Sequence, residues 1–198
     1  MELKYKTVAG IAYTKHVVKK SRFFGEATAV DSTEAVKAFL GEVRERYPKA
    51  SHYCYAYSIG SGSEKRDYAT DAGEPTHSAG PPILAAIQAN ELSNTVCVVT
   101  RYYGGINLGI GGLIRAYGQC ARECLQNATI ETRIAYQELQ LKVSYAHIGT
   151  VVNRCKRMGA QVFKIDYTPE PLLTLRIRRS AVETFQSQLQ SIAHFINP

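Results

Sequence analysis

One transition constrains the fold more than any other feature of the chain. An apolar run from Thr95 to Arg101 empties into Tyr102-Tyr-Gly-Gly-Ile-Asn-Leu-Gly-Ile-Gly-Gly112, after which Leu113, Tyr117, Cys120 and Cys124 share one face at helical spacing. Such a run has the character of a buried strand. The glycines Gly104, Gly105, Gly109, Gly111 and Gly112 admit left-handed turns and close backbone approach. A buried strand joined to an amphipathic helix implies layers of sheet and helix around a shared core.

The preceding segments fit that plan. Residues 4 to 13 and 22 to 30 are rich in Tyr, Val, Ile, Phe and Thr and predict two strands, separated by a basic stretch from Lys15 to Arg22. Asp31 followed by Glu34 has the spacing of a capping box, and Val36, Phe39, Leu40, Val43 and Tyr47 then mark a helix that Pro48 stops. Tyr53, Tyr55, Tyr57 and Ile59 alternate with Cys54, Ala56 and Ser58 as in a strand, which the Gly60-Ser-Gly-Ser63 run ends. Residues 60 to 80 lack periodicity and predict a long loop. Pro81 and Pro82 suit the first turn of a helix carrying Ile83, Leu84 and Ile87.

Near residues 127 to 136 the pattern changes and a second unit begins. Its expected order is β-α-β-β-α: a strand over 138–145, a helix over 147–158, strands over 160–167 and 172–179, and a helix over 181–195. Leu139, Leu141, Val143 and Tyr145 are expected on the helix-covered face with Leu173, Leu175 and Ile177. The opposite face, with Lys142, Lys164, Arg176 and Arg178, is mostly basic. The expected fold class is α+β in two domains, 1–133 and 134–198.

Composition narrows the function. With 198 residues, 45% hydrophobic and 21% charged, the chain is neither collagen-like nor disordered, and its apolar runs fall far short of the roughly 20 residues of a bilayer span. The N-terminus lacks the pattern of an export signal, and five cysteines without a Cys-x-x-Cys pair suit a reducing cytoplasm. A formal charge of +7 favours polyanions, nucleic acid and anionic membranes included, without naming a partner.

Two constellations invite chemistry. Bare amides of the glycine cluster, flanked by Arg101 and Arg115, suit an anion, although neither a P-loop nor a complete Gly-x-Gly-x-x-Gly is present; the competing reading is structural. Asp71, Glu74 and His77 lie close together in the loop, yet without a second histidine or metal-ligand spacing they define no metal site or acid-base pair. No cofactor is expected.

Lys20-Ser-Arg-Phe23, Ser51-His-Tyr-Cys-Tyr-Ala56, Asp71-Ala-Gly-Glu-Pro75 with Ala79-Gly80, and above all Arg101-Tyr-Tyr-Gly-Gly through Arg115-Ala-Tyr117 resemble the IMPACT family over about residues 20 to 125. The resemblance implies an N-terminal domain like the second domain of a small-subunit ribosomal protein. It also implies a C-terminal ferredoxin-like domain similar to the last domain of elongation factor G. Eukaryotic members are linked to translational control under amino-acid starvation through protein partners, whereas bacterial members have no established reaction. Carried over by position, the signature residues are Asp71, Gly73, Glu74, Pro75, Ala79, Gly80, Arg101, Gly104, Gly105, Gly109, Gly111, Gly112, Arg115 and Tyr117. Ala72 stands where the family usually has a second Asp, and Thr76-His77-Ser78 replaces a more usual Ser-Gly-Thr. The expectation is a non-catalytic, cytoplasmic protein contacting RNA or the ribosome, with a translation-related protein partner and a link to stress response. The alternatives are an enzyme or sensor that takes a phosphate ligand at the glycine turn, and a pure protein-interaction module.

Overall fold

The computed structural model describes residues 3–60, 62 and 65–196, so Ser61 and Ser63 of the expected strand-ending run lie outside the described residues. The chain divides into two compact units, Tyr5–Arg133 and Ile134–Pro198, the second taking in the N-terminal residues through Lys4.

The larger unit is built on an antiparallel five-stranded sheet. Its strands are β2 (Ile11–Val18), β3 (Ser21–Ala29), β4 (His52–Ile59), β5 (Arg66–Thr70) and β6 (Thr95–Tyr102), in the order β2-β3-β6-β4-β5. The central strand β6 is buried from Thr95 to Arg101, as its uniform apolar run requires. One face is covered by α1 (Thr33–Arg46), whose Val36, Phe39, Leu40 and Val43 pack on Val30, Val96 and Val98. The N-cap is Ser32, whose Oγ accepts from the Ala35 N–H at 3.2 Å, and not the expected Asp31. The last turn of α1 is tied down by Arg46, whose Nη2 meets Oε2 of the buried Glu26 at 2.6 Å.

The other face carries α2 (Gly80–Ala89) and α3 (Ile110–Gln126), which share a core with Phe23, Ala27, Cys54, Ala56, Cys97 and Val99. Prolines occupy the first turn of α2, as expected. On α3, Leu113, Ala116, Tyr117, Cys120 and Cys124 are buried at helical spacing.

Three expectations need correction here. The stretch 4–13 is not one strand: it breaks at Gly10 (φ +71°) into β1 (Lys4–Ala9) and β2. The basic segment Lys15 to Arg22 is not a separator, because Lys15 to Val18 continue β2 with every other side chain exposed. Within the expected loop 60–80, β5 adds an edge strand held by the β4 ladder and by Tyr68, which lies 5.2 Å from the ring of Tyr57.

The smaller unit is a four-stranded antiparallel sheet of β8 (Tyr136–Val143), β9 (Gln161–Asp166), β10 (Leu172–Arg178) and β11 (Ala193–Ile196), in the order β11-β8-β10-β9. Helices α4 (Ile148–Arg157) and α5 (Val182–Leu189) share its core with Leu139, Leu141, Leu173, Leu175 and Ile177. The connectivity is β-α-β-β-α-β, the split βαβ arrangement. The expected helix to residue 195 ends at Leu189, and Ala193–Ile196 pair with β8 as a fourth strand. Tyr145 does not face the core: β8 ends at Val143, and Tyr145 begins a short 3-10 turn with 57% exposure. A further strand, β7 (Thr129–Ile134), pairs with β1. No helix among the described residues is long and apolar enough to cross a membrane.

Candidate functional site

Beneath the glycine-rich turn lies a buried polar cluster. It begins in the loop between β5 and α2, where Asp71 acts on the backbone. Its Oδ1 accepts from the N–H groups of Ala79 (2.9 Å) and Gly80 (2.8 Å), and its Oδ2 from that of His77 (2.8 Å). Desolvation pushes this carboxyl upward, but the three backbone donors outweigh it and leave the pKa below the ordinary carboxylate value. Asp71 thus folds the loop over itself and sets the start of α2. Ala72 (φ 45°) and His77 (φ 62°) are left-handed within it. A Cβ on Gly80 would lie 2.7 Å from the Thr70 nitrogen, so glycine is required where α2 meets the sheet.

Glu74 points inward from the same loop. Its Oε1 accepts from Arg101 Nη1 at 2.6 Å and from the Tyr117 hydroxyl at 2.7 Å, and His52 Nε2 stands 3.9 Å away. The two charged side chains are 4% and 6% exposed. Arg101 Nη2 donates to Ser21 Oγ at 3.3 Å, its guanidinium lies over the rings of Phe23 and Tyr103, and its buried Nε has no partner among the described residues. Burial, reinforced by Cys54 and Glu74, pushes the Tyr117 phenol far above its usual range. Burial likewise pushes the Cys54 thiol up to about 12, while its Sγ donates to the Asp71 carbonyl at 3.0 Å. Burial thus keeps the Tyr117 phenol and the Cys54 thiol protonated, which suits a fixed tether joining loop, sheet and α3.

The structure therefore separates the residues that the sequence grouped. Arg101, grouped by the sequence with the glycine cluster, is paired with Glu74 and faces that carboxylate instead of the solvent. Arg115 joins neither carboxylate among the described residues; it lines a cleft beside the β2–β3 turn. Gly104 serves close approach: a Cβ there would lie 2.1 Å from the Lys20 carbonyl carbon, and its N–H donates to Ser21 Oγ at 3.1 Å. Gly105 (φ +81°) and Gly109 (φ +71°) are left-handed, Gly109 caps α3, and Gly111 and Gly112 open the helix. Gly73 (φ +88°) and Pro75 shape the loop, the Pro75 carbonyl accepting from the Ser78 N–H at 3.0 Å and the Ser78 hydroxyl at 2.6 Å. The contributions of Ser21 and of the His52 ring escaped sequence reasoning, because they come from strands distant in the chain.

The four basic residues expected on the open face of the smaller unit are exposed, and acidic neighbours accompany them, with Glu138 standing opposite Arg176. Lys142 pairs with Glu170 at 3.4 Å and Lys164 with Asp166 at 2.8 Å, while the Arg176 guanidinium lies 4.6 Å from the centre of the Tyr136 ring. Arg178 stands on the same exposed face at the end of β10.

Fold and cluster together define a two-unit α+β protein in which a Glu-Arg-Tyr tether braces a glycine-rich strand-to-helix turn. Residues 19–125 match the model of the Impact N-terminal domain. The chain belongs to the IMPACT family. An IMPACT family member of Haemophilus influenzae is 32% identical over 173 residues, covering 87% of this chain and 84% of the other. The Escherichia coli family member YigZ is 32% identical over 173 residues, covering 87% and 85%. A solved crystal structure of a hypothetical protein superposes with a TM-score of 0.77 at 29% identity, covering 100% of this chain and 98% of the other.

Proposed function

We propose that this chain is a non-catalytic cytoplasmic protein of translational regulation that contacts RNA or the ribosome through the open face of its four-stranded sheet. The observation that carries this reading is the exposed row on that face, in which Lys142 on β8, Arg176 and Arg178 on β10 and Lys164 on β9, with Tyr136 and Gln140 of β8 among them, outnumber the acidic Glu138 of β8 that stands opposite Arg176. Exposed ion pairs such as those of Lys142 and Lys164 contribute little to stability, so phosphates can displace the carboxylates at small cost. Membership of the IMPACT family, whose eukaryotic branch is linked to translational control, supports the same direction. So does the +7 charge. The connectivity of the smaller unit supports its likeness to the last domain of elongation factor G, and we take the larger unit as a counterpart of the ribosomal-protein domain.

The test is fluorescence anisotropy of the full chain with single-stranded RNA and co-sedimentation with ribosomes, both across a salt series. Each contacted phosphate is expected to add about −0.7 to the log-log salt slope on a single strand. Arg176→Glu with Arg178→Glu should abolish binding. Absence of binding to both targets at low salt overturns the reading.

A further inference from the structure

The larger unit holds a second feature, independent of the sheet face just described: a cleft of about 380 Å3 between the β2–β3 turn and α3. Lys19, Arg115 and Arg122 bring three cationic side chains to its wall, and among the described residues no carboxylate lines it. Among the described residues Lys19 and Arg115 have no ion pair, and Arg122 is engaged only by the side-chain oxygen of Gln119, at 2.9 Å. Val18 and Leu108 supply an apolar part of the lining, while His16 and Gln119 are held from behind by Glu123, whose carboxylate meets His16 Nδ1 at 3.3 Å and accepts from Gln119 Nε2 at 2.9 Å. Glu123 pairs with none of the three cations, and cations that line one concavity without a carboxylate of their own repel one another, a repulsion that an anion relieves.

The turn that presents Lys19 is strained and clamped. Lys19 (φ 44°) and Lys20 (φ 68°) both occupy the left-handed region, at the two central positions of a hairpin where Asn-Gly or Asp-Gly is the usual choice. The tip cannot relax away, because Gly104 packs against the Lys20 carbonyl and Ser21 Oγ accepts from both the Gly104 N–H and Arg101 Nη2. Strain retained at a held position is a mark of function when the residue's chemistry has a use there. Lysine at position 19 contributes nothing to the turn that Asn or Gly would not do better; what it adds is charge at the cleft.

We propose that this cleft binds a phosphomonoester carried on an organic body of roughly nucleotide size. The dianion matches three converging cations, two of them arginines whose forked donors suit phosphate oxygens. The apolar walls and the volume match a body beyond the phosphate itself, at the lower end of the range for small-ligand pockets. The Lys19 ammonium closes over the phosphate from the hairpin side, and Arg115 and Arg122 hold it from α3.

The experiment titrates the full chain by isothermal calorimetry and thermal shift with adenosine 5′-monophosphate. Adenosine, inorganic phosphate and a short RNA without a terminal phosphate serve as the comparison arms. The monophosphate is expected to bind, inorganic phosphate to compete more weakly, and adenosine to have no effect. Arg115→Gln should lower affinity at least tenfold. Lys19→Gly should do the same while leaving the melting temperature unchanged or higher, an outcome that a purely structural lysine cannot produce. Lys37→Gln on the exposed face of α1 should change nothing. The proposal is overturned if the monophosphate does not bind, if all three variants weaken it equally, or if the RNA without a terminal phosphate competes as well as the monophosphate does. That last result would make the cleft part of a polyanion track. Loss of RNA binding in the Arg176/Arg178 variant with the cleft still active, or the reverse, separates this inference from the function proposed above.

Discussion

Removing one partner of the Glu74–Arg101 pair should damage the fold far more than removing both. In Glu74→Leu the guanidinium, 6% exposed and already carrying an Nε without a partner among the described residues, loses the one carboxylate that pairs with it there. In Arg101→Met the carboxylate keeps only the Tyr117 hydroxyl and a His52 nitrogen at 3.9 Å. Breaking a buried pair from one side costs about 3–5 kcal/mol, whereas replacing both members with apolar groups of similar volume is often neutral. The double variant still strands the Tyr117 hydroxyl, a penalty of about 1–3 kcal/mol. The single losses thus sum to about 6–10 kcal/mol against about 1–3 for the pair, a coupling of several kcal/mol. Urea unfolding followed by circular dichroism measures it: with an m-value near 2 kcal/mol/M, each single variant should lower the midpoint by about 2 M and the double variant by about 1 M. A double variant as unstable as the two singles added together would falsify the tether.

Three further outcomes can be checked on these loops and on the first turn of α3. Gly104→Ala places a methyl 2.1 Å from a backbone carbon and should cost more than about 4 kcal/mol or prevent folding. Gly111→Ala, in the exposed first turn of α3 with only the Arg115 Nη1 at 3.5 Å, should stabilise by up to about 1 kcal/mol; similar melting temperatures for the two variants contradict this division of roles. Asp71→Asn forfeits the carboxylate that three N–H groups share, for a loss of about 1.5–3 kcal/mol at pH 7. Because the folded pKa of Asp71 is depressed, its contribution is complete above the unfolded value of about 3.9 and disappears as pH falls through the lower folded value. The difference in urea midpoint between wild type and variant should therefore close below about pH 4, and a pH-independent difference refutes the role.

How much of this was legible depended on whether a residue's purpose was local. Val96 to Val99, the glycine turn and the spacing of α3 announce themselves, since burial on both faces and one apolar helical stripe leave unmistakable patterns. Strand β11 did not, because Ile192 extends the helical spacing of Val182, Phe185 and Leu189, and only pairing with β8 converts the next four residues into a strand. Strand β5 offers little apolar pattern and exists through the ladder it completes. The Glu74–Arg101 pair joins two motifs read apart, and Arg101 was grouped with Arg115 instead, since nothing in the sequence says that α3 turns the Arg115 side chain toward the hairpin. The cleft was hidden for the same reason: His16, Lys19 and Arg122 meet only after β2 and α3 have packed. Tandem lysines at a hairpin tip were the available clue, and reading Lys15 to Arg22 as a spacer concealed that tip.

The pairing of β1 with β7 brings the entrance and the exit of the larger unit side by side, and just outside it the Ala135 N–H donates to the Leu3 carbonyl at 2.8 Å. A body whose chain arrives and departs at one seam is a cassette. It can be spliced into a surface loop of an unrelated host, or reclosed with a few linking residues and cut open elsewhere, without stretching either junction.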